Sequence, residues 1–479
     1  MSRNLLILMS DEHQARAMGC AGHPFVQTPH LDALAARGMR FTEAYTPSPI
    51  CVPARASFAT GRYAHQQRLW DNAMPYTGQP RGWGHQLQER GIAVESIGKL
   101  HYRYDDDDAG FDVEHMPMQV VGGHGMVWAS MRREGERKIR DGRMLGDYIG
   151  PGTSKYTEYD ARVTARTVDW LTQRGAQDGA QDGAAPWCLY VGLVAPHFPL
   201  IAPPEFLDLY PPEMMPEVKL HPSTGYRRHP WAEAQNANMD SEAKFRDPEE
   251  RLMAMRCYYG LTSWLDHNVG LILQALEDAG LAGDTTVVYT SDHGDNVGAR
   301  GLWGKSQMYQ ESTAIPMIMA GPGIAPGTCA TPVSLIDLSQ TLAEHFGGHL
   351  ADSPGENLYA IARAPEAPER VVFSEYHATG SISAGYMLRR GRWKYHYYVG
   401  FPPELFDLQA DPEELVDLWQ DPTHAAIRAE LHAALCAIVD PEAANAQAFA
   451  DQDALIARLD GPEKAFNMGA SGATPPPEA

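Results

Sequence analysis

One short segment of the chain combines a nucleophile, a cation and the signals that start and stop a helix. It reads Cys51-Val52-Pro53-Ala54-Arg55 and is followed by Thr60-Gly61-Arg62. Pro53 suits the first turn of a helix and Gly61 suits its C-terminal stop, so the spacing predicts a helix that ends near Thr60. Cys51 would then lie at the helix N-terminus, where free N–H groups favour anions, with Arg55 one turn further on. A lone cysteine is more often an inert buried side chain, so its chemistry depends on its neighbours.

Polar residues also follow four short apolar runs, at the points where buried strands would end. The runs cover 5–9, 93–97, 188–194 and 285–290, and the residues that follow them are Asp11 and Glu12, Lys99 and His101, His197, and Asp292 and His293. In open α/β sheets, ligands bind at the carboxyl ends of the strands. Any one of these positions could be an ordinary polar turn. All four together predict a site at one rim of a parallel sheet.

The elements that must position these residues are typical of an α/β domain. Apolar runs, which also include 315–319 and 371–373, alternate with amphipathic helices predicted at 156–174 and 249–279. This alternation predicts a mainly parallel sheet flanked by helices. Two strands predicted between 387 and 399, joined by the turn Arg390-Gly391-Arg392, indicate a smaller C-terminal antiparallel subdomain.

These elements divide the chain into three parts. A catalytic domain is expected at 1–376, a small α+β subdomain at 377–440 and a tail at 441–479. The Ala-Gln-Asp-Gly repeat within 175–185 predicts a flexible surface loop. The final Gly-Ala-Ser-Gly-Ala-Thr-Pro-Pro-Pro stretch predicts a disordered or arm-like tail that would wrap a neighbouring subunit of a homo-oligomer.

The charge and the cysteine content narrow the class of protein. The 479 residues carry a formal net charge of −22, which argues against a general nucleic-acid binder because phosphate backbones require a basic surface. A small anionic substrate is compatible with this charge if a local cationic pocket binds it. The six cysteines contain no C-x-x-C pair, so neither a disulfide framework nor a zinc cluster is indicated. The first apolar run is too short for a signal or a membrane span, which predicts a soluble cytoplasmic protein with free thiols and no membrane partner.

Cys-x-Pro-x-Arg followed by Thr-Gly-Arg resembles the signature of the sulfatase family, within the alkaline phosphatase superfamily. Further matching segments follow in the family's order over nearly the whole chain: 6–11, Gly98-Lys99-Leu100-His101, Pro196-His197, Ser291-Asp292-His293-Gly294-Asp295, Trp303-Gly304-Lys305 and Gly391-Arg392-Trp393-Lys394-Tyr395. Several motifs in order are far more specific than one. The region 54–73 looks closest to choline-sulfatase-like members, and phosphonate monoester hydrolases are near relatives. The resemblance implies an alkaline-phosphatase-like α/β fold.

The resemblance also implies a modification and a cofactor. A formylglycine-generating enzyme would convert Cys51 to formylglycine. One divalent cation, with Ca²⁺ as first choice and Mn²⁺ as second, would be held by Asp11, Glu12, the modified Cys51, Asp292 and His293. The hydrated aldehyde would present a metal-bound hydroxyl, which attacks the sulfur of a small sulfate ester.

The remaining family roles fall on five basic side chains. Lys99 and Arg55 would offset the charge that develops on the sulfate oxygens. His197 or Lys305 would protonate the departing alcohol. His101 would remove the proton of the second hydroxyl, so that sulfate leaves and the aldehyde re-forms.

Two positions depart from the family pattern, and two other functions stay open. Glu12 stands where sulfatases usually carry Asp, and Ala54 replaces the commoner Ser. A phosphonate monoester or phosphodiester hydrolase is the nearest alternative, because sulfate monoesters and phosphate diesters each carry one negative charge and one pocket could accept both. A non-catalytic protein that binds oxyanions or metal is the alternative if Cys51 remains a thiol.

The alcohol part of the substrate is not specified by these motifs. Asn72 is a candidate for holding a substrate oxygen. Five aromatic residues are candidates for a wall, or for a cage around a quaternary ammonium group, with core or rim packing as the alternative: Trp70, Trp83, Tyr102, Tyr104 and Trp128.

Overall fold

A large sheet forms the centre of the molecule. The computed structural model describes residues 2–133, 135, 137, 143–179, 185–470 and 472–478. Within these ranges the strands are β1 (Asn4–Asp11), β2 (Met39–Phe41), β3 (Ala44–Tyr45), β4 (Ala93–Lys99), β5 (Val113–Met118), β6 (Gly150–Pro151), β7 (Trp187–Pro196), β8 (Ile201–Ala202), β9 (Thr285–Ser291), β10 (Met317–Ala320), β11 (Gly327–Cys329), β12 (Val333–Ser334), β13 (Val372–Tyr376), β14 (Gly385–Arg390), β15 (Trp393–Tyr398) and β16 (Glu404–Asp407).

The main sheet is parallel through its centre. Its strands lie in the order β11-β2-β10-β9-β1-β7-β4-β5, and the run from β9 to β5 is parallel throughout. β1, β7 and β9 are buried along their whole length, which explains their continuous apolar runs. The predicted mainly parallel α/β sheet is therefore confirmed. The run at 315–319 forms β10, which pairs antiparallel with β9.

Helices cover both faces of this sheet. They are α1 (Pro29–Ala36), α2 (Cys51–Thr60), α3 (Ala64–Gln67), α4 (Trp83–Gln88), α5 (Lys155–Gly179), α6 (Pro204–Leu207), α7 (Pro230–Asn236), α8 (Pro248–Asp278), α9 (Gln310–Thr313), α10 (Leu335–His345), α11 (Leu358–Arg363), α12 (Ala425–Ile438), α13 (Pro441–Arg458) and α14 (Pro462–Phe466). Successive side chains of β1 point to opposite faces. Leu6 and Leu8 pack with α5 and α8, whereas Leu5, Ile7 and Met9 pack with α2, α4 and α10.

A second, antiparallel sheet forms the small subdomain. Its order is β13-β14-β15-β16, and the predicted turn at Gly391 joins β14 to β15. The sheet begins at Val372 in β13, shortly before residue 376, where the sequence places the end of the catalytic domain. The apolar run at 371–373 was compatible with either sheet, and only its pairing with β14 assigns it to the smaller one.

The segment predicted to be a tail is largely helical. α13 and α14 pack their buried Leu455, Ile456 and Ala465 against Val127 and Met131 of the main domain. The last described residues, 472–478, also lie against the main domain of the same chain, and Thr474 is buried. Of the two predicted alternatives, disordered or arm-like, these residues follow the arm-like one, and in this structure the arm packs on its own chain.

The predicted loop at 175–185 is partly helix. α5 continues to Gly179, supported by the ion pair between Arg174 and Asp178 at 3.0 Å, and 180–184 lie outside the described residues. None of the six cysteines is paired with another in this structure. Among the helices in the described ranges, none has both the length and the apolar character needed to cross a bilayer.

Candidate active site

The carboxyl ends of four neighbouring parallel strands bring the predicted polar residues together. Asp11 is the last residue of β1 and Lys99 the last of β4. Asp292 directly follows β9, and His197 directly follows β7. The four strands are adjacent in the order β9-β1-β7-β4, so the rim predicted from the apolar runs exists.

Helix α2 delivers Cys51 to this rim. Ile50 is extended, with φ −158°, the helix begins at Cys51, and Gly61 ends it in the left-handed region at φ +69°, as the spacing predicted. Cys51 Sγ lies 3.2 Å from Nε2 of His293 and 3.8 Å from Oδ1 of Asp11. The backbone N–H of Val52 donates to Oδ1 of Asn72 at 3.2 Å, which places Asn72 at the first turn of the helix.

Four ligand-type side chains converge here. Asp11, Cys51, Asp292 and His293 are all buried and contribute one ligand atom each, and these atoms lie within 4.8 Å of one another. Nδ1 of His293 lies 3.1 Å from the carbonyl oxygen of Gly294, which leaves Nε2 available for a ligand.

Glu12 lies beside this set. Its backbone has φ +69°, a strained value for a non-glycine residue that is typical of functional sites. Its Oε2 pairs with Lys305 Nζ at 3.2 Å, whereas Oε1 is buried and receives no hydrogen bond within the described part of the chain. A buried carboxylate oxygen with no donor, next to two further carboxylates and an imidazole, fits a hard or borderline divalent cation.

Arg55 contacts the carboxylates of Asp292 and Asp11 from the side away from the cavity. Its Nε donates to Asp292 Oδ2 at 2.8 Å, and Nη2 lies 3.3 Å from Asp11 Oδ2. Its Nη1 donates to the carbonyl of Lys99 at 3.0 Å and to the hydroxyl of Tyr190 at 2.9 Å. Arg55 does not line the cavity, and these contacts are suited to holding the two carboxylates in place.

A cationic cavity opens in front of Cys51. Its lining includes the Lys99, Arg143 and Lys305 cations and the His101 and His197 imidazoles, and no acidic side chain of the described residues. Lys99 Nζ pairs with Asp11 at 2.6 Å. Lys305 Nζ lies 2.8 Å from Nε2 of His197, whose Nδ1 lies 2.6 Å from the carbonyl oxygen of Phe198. An acidic chain therefore contains a local pocket suited to an anion.

Burial sets the protonation of these groups. Burial lowers the pKa of His101 well below its ordinary value, and the charge of Lys99 lowers that pKa further. Burial also lowers the pKa of His197 well below its ordinary value, and the charge of Lys305 lowers it further. Burial opposes the charge of Lys305, yet Cys51, Glu12 and Asp11 hold its pKa well above the usual value. Both imidazoles are thus neutral near pH 7, and the Lys305 ammonium beside His197 stays charged.

The carboxylate and the thiol respond to burial differently. Burial would raise the pKa of Asp11, but Lys99 and the other cations around it hold that pKa well below its ordinary range. Burial, with Asp11, raises the pKa of the Cys51 thiol to about 11. Burial also raises the pKa of Glu12 well above its usual value, against the effect of Lys305.

Three residues of the site lie outside the motifs that the sequence analysis identified. Tyr190 donates to the carbonyl of Lys99 and accepts from Arg55. Asp160, on α5, accepts the backbone N–H groups that end β7 before His197. Thr474, from the end of the chain, lies 2.8 Å from Nε2 of His101. Thr474 carries a hydroxyl in a stretch made mostly of small residues and proline. That hydroxyl is the one feature of the sequence that could have pointed to a role for Thr474.

Of the five aromatic candidates, Trp128 lines the cavity. Trp70, Trp83 and Tyr102 are buried in the hydrophobic core, and Tyr104 is exposed. These four residues therefore follow the alternative of core or rim packing, and Trp128 remains the candidate for an aromatic wall of this cavity.

Comparison with known proteins agrees with this geometry. Residues 3–348 match the family model described as Sulfatase, and residues 298–440 match one described as N-sulphoglucosamine sulphohydrolase, C-terminal. The choline-sulfatase of Rhizobium meliloti (strain 1021) is 34% identical over 440 residues, which cover 90% of this chain and 85% of the relative. Arylsulfatase K of Danio rerio is 28% identical over 449 residues, covering 86% and 79%. A solved phosphonate monoester hydrolase from Silicibacter pomeroyi has the same fold, with a TM-score of 0.71 at 24% identity, covering 90% and 94%.

The family match spans well over half of the chain, and the choline-sulfatase similarity extends over 90% of it. Both agree with the signature around Cys51 and with the rim of ligand-type residues. The chain belongs to the sulfatase family, and it is a sulfuric ester hydrolase.

Proposed function

We propose that this sulfuric ester hydrolase cleaves sulfate monoesters through a formylglycine made from Cys51. The observation that carries the proposal is the position of Cys51, which begins a buried helix next to Asp11 and His293 at the base of a cationic cavity. A hydrated aldehyde presents two hydroxyls. One attacks the sulfur, and the proton of the other is removed when the aldehyde re-forms. A serine has a single hydroxyl and lacks this second step.

Maturation of Cys51 is proposed to precede folding. All ten residues of α2 are buried, including Cys51, Pro53 and Arg55 of the signature. A formylglycine-generating enzyme must reach this segment as an extended chain, so it is expected to act before the sheet closes around α2. Folded protein that still carries the thiol should resist conversion.

A divalent cation is proposed to complete the site. Asp11, Asp292, His293 and residue 51 would hold it, with Glu12 as a further ligand, and this oxygen-rich set favours Ca²⁺ over Mn²⁺. The ion would supply positive charge and acidify a hydroxyl of residue 51. Because a ligand of the folded state raises stability, Ca²⁺ should raise the unfolding temperature of chelator-treated protein, and Asp292→Asn should reduce that rise.

The residues that line the cavity are proposed to bind the substrate, protonate the leaving oxygen and release the sulfate. Lys99 and Lys305 supply the charge that binds the sulfate oxygens. Lys305 and the neutral His197 form a 2.8 Å pair that can deliver a proton to the leaving oxygen. His101 is the base for sulfate release, and Asn72 holds a substrate oxygen.

The mass of the peptide that contains residue 51 tests the proposal. Protein co-expressed with a formylglycine-generating enzyme should carry the aldehyde, and the denatured chain should titrate as five thiols instead of six. An intact thiol under these conditions would contradict the mechanism and favour a non-catalytic oxyanion-binding protein.

The second candidate is a phosphonate monoester or phosphodiester hydrolase that uses the same site. The observation in its favour is the cationic cavity, which would accept any monoanionic ester. Comparing kcat/KM on an aryl sulfate and on a phenyl phosphonate monoester separates the two. We expect the sulfate to be the better substrate, and a much higher value for the phosphonate would reverse the assignment.

A further inference from the structure

The end of the chain forms one wall of the active-site cavity. The C-terminal strap, defined here as Ala470 and residues 472–478, contributes Gly472, Ala473 and Thr474 to the lining. Thr474 is 7% exposed, and its Oγ1 lies 2.8 Å from Nε2 of His101. We infer that Thr474 is a positioning residue for sulfate release, because its hydroxyl accepts the Nε2–H of His101 and leaves Nδ1 as the basic nitrogen. This inference rests on the proposed function.

The backbone of the strap is held independently of the Thr474 side chain. Ala470 donates its N–H to the carbonyl of Gly125 at 2.8 Å and accepts from Nε1 of Trp128 at 3.0 Å. The hydroxyl of Tyr156 donates to the carbonyl of Thr474, and Arg162 donates to the carbonyl of Pro477 at 3.1 Å. A substitution of the Thr474 side chain therefore changes its contact with His101 and spares these anchors.

The crossing between the strap and the main domain requires glycine on both sides. A Cβ at Gly469 would lie 1.6 Å from the carbonyl oxygen of Gly125, and a Cβ at Gly125 would lie 1.8 Å from the carbonyl oxygen of Asn72. Both glycines have positive φ, at +75° and +56°. The close fit extends from the strap to Asn72 at the first turn of α2, so the strap is built into the site.

His101 needs a partner that selects its tautomer. A neutral imidazole donates from one nitrogen and accepts at the other, and the partner of one nitrogen decides which one carries the proton. Nδ1 of His101 is buried and has no hydrogen-bond partner within the described ranges, whereas Nε2 contacts Thr474. The residue is also held at φ +62°. Within the described ranges, Thr474 is thus the side chain that fixes the imidazole.

The release step balances without any further reactant. The O–H bond of the remaining hydroxyl on residue 51 breaks, and its proton moves to Nδ1 of His101. The electron pair of that bond forms the C=O of the aldehyde. The C–O bond to sulfate breaks, and its electron pair leaves with the sulfate. An imidazole that carried its proton on Nδ1 could accept a further proton only at Nε2, the nitrogen that contacts Thr474.

The test compares Thr474→Val with Thr474→Ser in protein that carries the aldehyde. Val preserves the shape and removes the hydroxyl, whereas Ser keeps the hydroxyl. If release is slowed, kcat should fall about tenfold or more with kcat/KM unchanged, because kcat/KM reports the earlier attack step. Mass spectrometry of quenched reactions should then show sulfated residue 51 accumulating in Thr474→Val, and Thr474→Ser should restore kcat.

Two further variants keep the test decisive if Thr474→Val folds poorly. Deletion of residues 471–479 removes the hydroxyl without placing a methyl group beside His101, and it should also accumulate the sulfated enzyme. Glu478→Gln, at an exposed position of the strap, should show the same kcat and kcat/KM as the unsubstituted protein that carries the aldehyde. Unchanged kcat in Thr474→Val, or equal losses of kcat and kcat/KM without sulfated enzyme, would overturn the inference. Absence of the aldehyde from the unsubstituted protein would instead refute the proposed function.

Discussion

The carboxylate of Asp160 fixes the end of β7 that leads to His197. It is 1% exposed and accepts the backbone N–H groups of Val194 and Ala195, each at 2.8 Å. Asp160→Asn keeps the volume but offers one acceptor oxygen, so one buried N–H faces an amide NH₂ group. A buried donor without a partner costs about 1–3 kcal/mol, and we expect the free energy of unfolding to fall by that amount.

The same substitution should lower activity more than stability alone explains. Pro196 is the single residue between Ala195 and His197, and Nε2 of His197 lies 2.8 Å from Lys305. A displacement of about 1 Å can cost on the order of 10²-fold in rate, so kcat/KM for a sulfate ester should fall by that order under conditions where the variant is folded.

Asp266 is the matched control. It is 2% exposed on α8 and accepts the N–H groups of His30 and Leu31 at 3.1 and 2.8 Å, at the start of α1, and it does not line the cavity. Asp266→Asn should cost similar stability and spare kcat/KM. Urea unfolding and steady-state kinetics on both variants test this. Equal losses of activity in the two variants, or full activity in a destabilised Asp160→Asn, would refute the reasoning.

Three further predictions concern other groups. Asn72→Asp keeps the acceptor for the Val52 N–H, and the negative charge that it adds to the lining of the cavity should raise KM for an anionic ester. Asn72→Ala should instead lower the unfolding free energy by about 1 kcal/mol, and equal KM values for the two would exclude a substrate role. Lys305→Gln should reduce kcat/KM more for an alkyl sulfate than for a nitrophenyl sulfate, whose leaving group needs little protonation; parallel losses would argue against proton delivery. Burial lowers the pKa of His345 from 6.5 to about 4, so the unfolded state binds more protons between those pH values, and stability present at pH 7 is lost as the pH falls through that window. His345→Gln should flatten the pH dependence of the unfolding free energy by up to about 1.4 kcal/mol per pH unit, and an unaltered slope in urea titrations would rule this out.

The active-site rim could be predicted because parallel strands end on the same side. Asp11, Lys99, His197 and Asp292 each follow a buried apolar run, and the four strands are adjacent in the sheet. Helix α2 was equally predictable, because Pro53 and Gly61 act through local backbone geometry. These signals depend on residues a few positions apart.

Other features could not be predicted, because their signals depend on pairing. The run at 371–373 has the composition of any buried strand, and only β14 assigns it to the antiparallel sheet. The segment after Arg174 looked like a loop by composition, yet its ion pair with Asp178 at helical spacing extends α5. The C-terminal segment looked disordered because its few apolar side chains gain their burial from a distant surface.

The sequence by itself determined which reactive side chains this protein brings to its site: a cysteine at a helix start, carboxylates and imidazoles at strand ends, and an ordered set of motifs. The tertiary structure alone decided which way those groups face. It directed Arg55 to Asp11 and Asp292 and away from the cavity, and it brought Thr474 to His101. The physical reason is that backbone propensity acts between near neighbours in the chain, whereas the direction of a buried side chain is set by partners that may lie hundreds of residues away.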